Sequence, residues 1–398
     1  MIKKIELNLK ELGDLAKIIP GPEPRLKVSA TLGRIIPVCE PKLNGNEFRY
    51  VARCLETNWI SSTGNNIEQF EKKFARCCGA RYGISCTSGT TALHLALATL
   101  GIGKGDEVII PTFTMIATAN AVTYTGATPV LVDAEPDTWN IDPEKIEEKI
   151  TERTRAVIVV HTYGHPADMD KILSVAKKYH LYVVEDAAEA HGAEYKGKKI
   201  GNIGNIACFS FYANKIITTG EGGMLTTNDK KIAEVAKELR SHAFSKERHF
   251  WHQYVGYNYR MTNLQAAIGL AQVERFDEFV QLRIGHARLY NSMLKGIKGI
   301  ILPPQTKDVK NVYWMFSILI EDELGISRDE LRGGLAERGV ETRTFFIPVH
   351  LQPIYFRRYP QRFPIAEELC RKGMYLPSAS SLTEEEINYV VKSIISVI

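Results

Sequence analysis

With 398 residues, 44% of them hydrophobic and 24% charged, the chain has the composition of an ordinary globular protein, which sets aside disordered, collagen-like and coiled-coil classes. A net charge of +4, spread without a long Lys/Arg block, argues against nucleic acid as a partner. The seven cysteines (39, 54, 77, 78, 86, 208 and 370) include no C-x-x-C pair and suit a reducing cytoplasm better than a disulfide framework.

Residues 1–34 read as an N-terminal extension. Ile5, Leu9, Leu12 and Leu15 recur at helical spacing before the break "PGPEP", a pattern that fits a surface helix, a partner-binding arm or a poorly packed tail. The extension lacks a signal-peptide core, and no apolar run in the chain reaches the roughly 20 residues a bilayer span needs, so neither secretion nor membrane insertion is expected.

Residues 35–261 read as one large α/β domain. Strands are expected at 82–86, 107–110, 129–132, 156–160, 181–185, 206–211 and 223–226, with helices between several of them, for example 90–100 and 168–179. The strands are continuously apolar, which implies a sheet covered on both faces. Ligands of such sheets bind at the carboxyl ends of the strands. From 262 a long helical pattern leads into a smaller α+β domain, 262–398, with a strand at 314–320 and helices at 327–338 and 383–397. Cys86 and Cys208 fall in core strands and read as packing residues.

Three stretches carry chemistry. After the strand ending at Cys86, Ser88, Gly89 and Thr90 make a tight turn into a helix, where free amides and a positive helix end can hold a phosphate; an ordinary N-cap is the plain alternative. No Walker or Rossmann fingerprint is present, because "GIGKGD" at 101–106 follows a helix instead of a strand. Asp186 ends an apolar strand, where a carboxylate needs water or a cation. Lys215 follows the next strand, beyond Ser210, in a setting where desolvation lowers an amine's pKa and makes it nucleophilic.

Gathered at one sheet edge, these groups fit pyridoxal 5′-phosphate (PLP): its phosphate on 88–90 and Ser210, its ring nitrogen on Asp186, its aldehyde carbon on Lys215. Lys215 would be the covalent anchor and, once displaced by a substrate amine, the base that moves a proton between carbon centres. No metal site is expected.

The landmarks "SGTTALHLAL", "GDEVIIPTFT", "GATPVLVD", "VVEDAAEAHGAEYKGKKIGNIG", "FSFYANKIITTGEGGM", "GYNYRMTNLQAAIGLAQ" and "ETRTFFIPVHLQPIY" occur in order. With them the chain resembles the DegT/DnrJ/EryC1/StrS family of sugar aminotransferases from about residue 35 to its end. The resemblance implies the PLP-dependent transferase fold of type I, aspartate aminotransferase-like, with a large, mostly parallel seven-stranded sheet domain and a smaller α+β C-terminal domain. It implies that Phe113 stacks on the cofactor ring and that Glu189 faces its phenolic oxygen side. It also implies that Asn258 reaches the phosphate of the neighbouring subunit, hence a homodimer with shared active sites.

His161, Arg343 and His350 are candidates for the substrate side, with a core role equally open for His161. The basic cluster 246–249 and the aromatics of 250–257 fit either a mobile loop near the site or a solvated face. Relatives that remove a hydroxyl carry histidine in place of Lys215, so this lysine favours amino transfer. Residues 43–71, Glu189 and 214–224 resemble relatives that aminate C4 of GDP-4-keto-6-deoxy-D-mannose with L-glutamate. A UDP- or dTDP-linked 3- or 4-keto sugar, a keto-sugar dehydratase and a non-catalytic regulatory module stay open as alternatives.

Overall fold

The computed structural model describes residues 9–245, 248 and 250–398; Ile5 and most of the basic cluster 246–249 lie outside the described residues. The chain builds a seven-stranded sheet from β1 (Tyr82–Cys86), β2 (Glu107–Pro111), β3 (Thr128–Val132), β4 (Thr154–Val160), β5 (Tyr182–Asp186), β6 (Ile206–Ser210) and β7 (Gly223–Thr227). Their order across the sheet is β1-β7-β6-β5-β4-β2-β3. β7 runs antiparallel to both β1 and β6, and the other pairings are parallel. β2 and β6 are buried at every position, as covered strands rich in Val, Ile, Phe and Ala require.

Helices cover both faces. α1 (Glu47–Glu56) and α2 (Asn65–Cys77) precede the sheet, and α3 (Gly89–Thr99) follows β1. Ser88 caps α3: its hydroxyl accepts from Thr91 N–H at 3.1 Å while its own N–H donates to Thr91 Oγ1 at 2.9 Å. α4 (Ala117–Tyr124), α5 (Met169–Tyr179) and α6 (Lys230–Arg240) complete the layer. The topology brings the ends of β1, β2, β4, β5 and β6, and the start of β7, to one edge of the sheet.

The helical pattern read as one run from 262 is two helices, α7 (Asn263–Val273) and α8 (Phe276–Leu294), parted at Glu274 and Arg275. α7 lies against α1 and α2, where a Cβ on Gly269 would stand 2.7 Å from the Phe70 ring. α8 crosses to the C-terminal unit, where a four-stranded antiparallel sheet pairs Ile300–Ile301, Phe316–Ile320, Gly373–Leu376 and Arg343–Thr344 in that order. α9 (Arg328–Glu337), α10 (Pro364–Lys372) and α11 (Glu384–Ile395) pack around it.

The N-terminal extension is not a loose tail over its described length. Leu12 is buried, Ile18 is buried with Leu351 and Cys370, and Lys27 N–H donates to the Ala336 carbonyl at 3.0 Å. Residues 11–36 therefore strap the C-terminal unit. Among the described residues no helix is long and apolar enough to cross a membrane.

Candidate active site

A cavity of about 420 Å³ opens at the shared strand edge. Ser88, Gly89, Thr90, Asp186, Glu189, Ser210 and Lys215, all singled out from sequence, line it together. Its floor is a cradle that only glycine permits. A Cβ on Gly89 would stand 2.7 Å from the Ser210 Cβ, and one on Gly223 would stand 2.2 Å from the Ser88 carbonyl oxygen. The cradle thus combines the α3 N-terminus with the hydroxyls of Ser88, Thr90 and Ser210, a donor set suited to a phosphate.

Asp186 ends β5 and is 6% exposed. Its Oδ2 accepts from Thr118 Oγ1 at 2.8 Å and its Oδ1 from Ala188 N–H at 3.3 Å. Burial pushes its carboxyl above the ordinary range, against those two hydrogen bonds and the charge of Lys215. A buried carboxylate so placed gains from a further cation, and a protonated pyridine nitrogen is one.

Glu189 lies across the cavity, with Oε2 accepting from Tyr163 N–H at 2.7 Å. Burial raises its pKa as well. Tyr163 holds a left-handed backbone conformation (φ 52°), a strained state for a side chain-bearing residue that turns this N–H toward the carboxylate. The Lys215 Nζ stands 3.6 Å from the centroid of the Trp314 ring. Burial lowers its pKa, and the negative charges of Glu189 and Asp186 oppose that shift. The Asn214 Oδ1, on the cavity wall, is buried without a hydrogen-bond partner. Lysine, carboxylate, anion cradle and orphaned amide oxygen all fit PLP.

Phe113 does not reach the cavity. It is 0% exposed and packs on Tyr163, Phe345 and Phe346, at the seam with the C-terminal unit. Met115, two residues on, is 49% exposed and takes the place on the wall expected of Phe113.

The three substrate-side candidates also sit off the wall. His161 is fully buried behind Asp186, its N–H donating to the Asp186 carbonyl at 3.2 Å and its Nε2 lying 3.3 Å from Glu185 Oε2. Glu185 also accepts from the N–H groups of Gly201, Ile203 and Gly204, so His161 completes a buried polar cluster on the other face of β5. His350 bridges Thr112 (2.8 Å to Oγ1) and Glu367 (3.3 Å to Oε1) in the interior. Arg343 is ion-paired with Glu341 and Glu23. Asn258 is exposed and outside this cavity, its Oδ1 accepting from Arg260 Nε at 3.0 Å.

The sequence reading missed Trp314, Phe346 and Tyr375, which the C-terminal unit contributes, and Met115, Thr118, Tyr212 and Asn214. The tryptophan of "WMFSILI" had a signal in its indole N–H, which needs a partner when buried and finds the Asn214 carbonyl at 2.9 Å.

A buried lysine and aspartate beside an anion cradle, at the edge of a sheet of this topology, define a PLP-dependent enzyme. The chain belongs to the DegT/DnrJ/EryC1/StrS aminotransferase family, whose model matches residues 41–395. It is 48% identical to the GDP-perosamine synthase of Escherichia coli O157:H7 over 88% of this chain and 95% of that one. To the GDP-perosamine synthase of Caulobacter vibrioides it is 48% identical over 93% and 98%. Among solved structures, an aminotransferase from Psychrobacter cryohalolentis matches with a TM-score of 0.85 and 33% identity over 90% of this chain and 98% of that one. A "putative sugar aminotransferase" from Streptococcus pneumoniae, which matches with a TM-score of 0.85 and 28% identity over 91% of this chain and 98% of that one, has been solved in PLP form. The protein is a PLP-dependent sugar aminotransferase.

Proposed function

We propose that the enzyme moves the amino group of L-glutamate to C4 of GDP-4-keto-6-deoxy-D-mannose, giving GDP-perosamine and 2-oxoglutarate, as a cytoplasmic homodimer with shared active sites. The sugar rests on one observation: 48% identity, over nearly the whole length, to two proteins named for that product. The seven cysteines, all free, suit a reducing compartment. Exposed Trp59, Ile60, Trp251, Tyr254 and Val255, with Asn258 facing outward, support a second copy as partner.

The α3 N-terminus, Ser88, Thr90 and Ser210 would hold the cofactor phosphate, and Asp186, oriented by Thr118, would keep the ring nitrogen protonated. When bound, PLP supplies an electron sink for the negative charge that develops at the substrate carbon. Lys215 would anchor the cofactor and then, with its pKa lowered by burial, take a proton from one carbon and return it to another. Glu189, fixed by the Tyr163 N–H, would set the charge beside Lys215. Met115 and Trp314 would exclude water from the two sides of the cavity.

A spectral titration tests the reading. L-glutamate should convert the lysine-bound cofactor band to the amine form, and GDP-4-keto-6-deoxy-D-mannose should restore it, in a ping-pong cycle. Restoration only by a dTDP- or UDP-linked keto sugar would replace the substrate and leave the reaction class intact. Full turnover by Lys215→Ala would sink the mechanism.

A further inference from the structure

We propose that His94 is a positioning residue that locks the Tyr257–Tyr259 arm so that Asn258 is presented to the neighbouring subunit's cofactor site. This rests on the shared-site homodimer proposed above.

His94 lies on α3, whose first turn forms the anion cradle. Its neighbours Ala92, Leu93, Leu95, Ala96 and Leu97 are buried and apolar, and its own ring is only 6% exposed. A buried imidazole in that setting costs free energy unless it is hydrogen-bonded. Its Nδ1 lies 2.9 Å from the Tyr259 hydroxyl. The ring also meets Tyr257 edge-on at 4.9 Å and Tyr124 at 5.8 Å. Tyr257 and Tyr259 stack on each other at 4.9 Å with their planes 8° apart.

Alternate residues of an extended segment share a face. With Tyr257 and Tyr259 clamped inward, Asn258 points outward, and it is the exposed member of the three. The arm's backbone is tied to the end of α6: Tyr257 N–H donates to the Leu239 carbonyl at 2.6 Å, Tyr259 N–H to Arg240 at 3.0 Å, and His242 N–H to Tyr257 at 2.7 Å. α3 thus forms its own cradle at its start and, one turn on, fixes through His94 the arm that leaves for the partner. The amide N–H groups of an asparagine held this way suit a phosphate.

Mixed dimers separate this role from a merely structural one. In the first, a subunit carrying His94→Phe and Lys215→Ala pairs with an unsubstituted subunit, so the one lysine-bearing site is served by the altered arm. In the second, a Lys215→Ala subunit pairs with a His94→Phe subunit, and the lysine-bearing site is served by an intact arm. The measurement is the PLP dissociation constant at the lysine-bearing site, read from the absorbance of bound cofactor. The first dimer should bind PLP about tenfold more weakly, the scale of one lost hydrogen bond to a charged group, and the second should be unchanged. Equal weakening in both dimers, or weakening in the second alone, would overturn the proposal.

Tyr259→Phe, which removes only the hydroxyl, repeats the first arrangement should His94→Phe misfold. Asn258→Ala in that arrangement is the control for the dimer reading. No effect of Asn258→Ala would defeat that reading and the proposal with it. An effect of Asn258→Ala without one from His94→Phe or Tyr259→Phe would defeat the proposal alone.

Discussion

Lys215 and Glu189 sit in one buried field, and each biases the other's proton. Burial is the largest influence on the lysine and lowers its pKa; the carboxylate charges of Glu189 and Asp186 oppose it. Glu189→Gln removes one of those charges and keeps the hydrogen bond from Tyr163 N–H, so the Lys215 pKa should fall further. In cofactor-free protein the pH profile of amine-selective labelling at Lys215 should shift to lower pH; an unshifted or rising profile would mean that the two groups do not interact. Polar residues at the ends of apolar strands were legible from sequence because burying them unpaired is costly, and Asp186, Ser210 and Lys215 all carry that mark. The resemblance places Phe113 on the cofactor ring, whereas packing against Phe345 and Phe346 draws it into the seam and leaves Met115 on the cavity wall. Trp314 and Tyr375 were hidden because large apolar side chains in a strand read as core.

The cradle belongs to three elements at once: the start of α3, the end of β6 and the start of β7. Their spacing is fixed by the absence of side chains at Gly89 and Gly223. Gly223→Ala would drive a Cβ to 2.2 Å from the Ser88 carbonyl oxygen, so β7 must move away from the turn. Overpacking of this kind costs about 1–3 kcal/mol, and here it should also weaken PLP binding, because the displaced turn carries the phosphate donors. Denaturant unfolding and cofactor titration of the variant check both effects; unaltered cofactor affinity would show that the cradle tolerates the shift. The seven strands were legible to within about two residues because covered strands are unbroken runs of Val, Ile and Phe. The break between α7 and α8 was not, since "QVERFDEF" contains neither glycine nor proline. There the turn is closed by tertiary partners: Arg275 reaches Asn44 and Glu278, and Glu274 accepts from Asn46 and Tyr50.

At the scale of the molecule, interior histidines and the N-terminal strap set the conditions under which the C-terminal unit stays folded. Burial lowers His350 to about 4, below its unfolded value near 6.5. A group whose folded pKa is depressed contributes stability that is complete above the unfolded value and is lost as pH falls toward the folded one. The unfolding midpoint should therefore decline from about pH 6.5 to pH 4, and His350→Gln should flatten part of that decline; an equal slope in the variant would assign the acid sensitivity elsewhere.

The strap acts on the same unit by another route. Glu23 Oε2 lies 2.5 Å from Nη2 of Arg332, which is 1% exposed and whose next carboxylate, Asp329, stands 3.7 Å away. Gly21 N–H donates to Asp329 Oδ2 at 3.0 Å, which ties the strap to the start of α9. Because Glu23 itself faces solvent, its attraction is screened, and the larger part of its effect is the satisfaction of a buried guanidinium donor. Glu23→Ala, which removes the acceptor, should accordingly cost about 1–3 kcal/mol, and deletion of residues 1–28 should cost more, because Ile18 also leaves its contact with Leu351 and Cys370 and Leu12 loses its burial. Denaturant midpoints of the two variants measure the difference. If both match the full chain, the extension is a passenger on the C-terminal unit. If only the deletion is destabilised, the strap works by apolar burial and the Glu23–Arg332 pair contributes nothing.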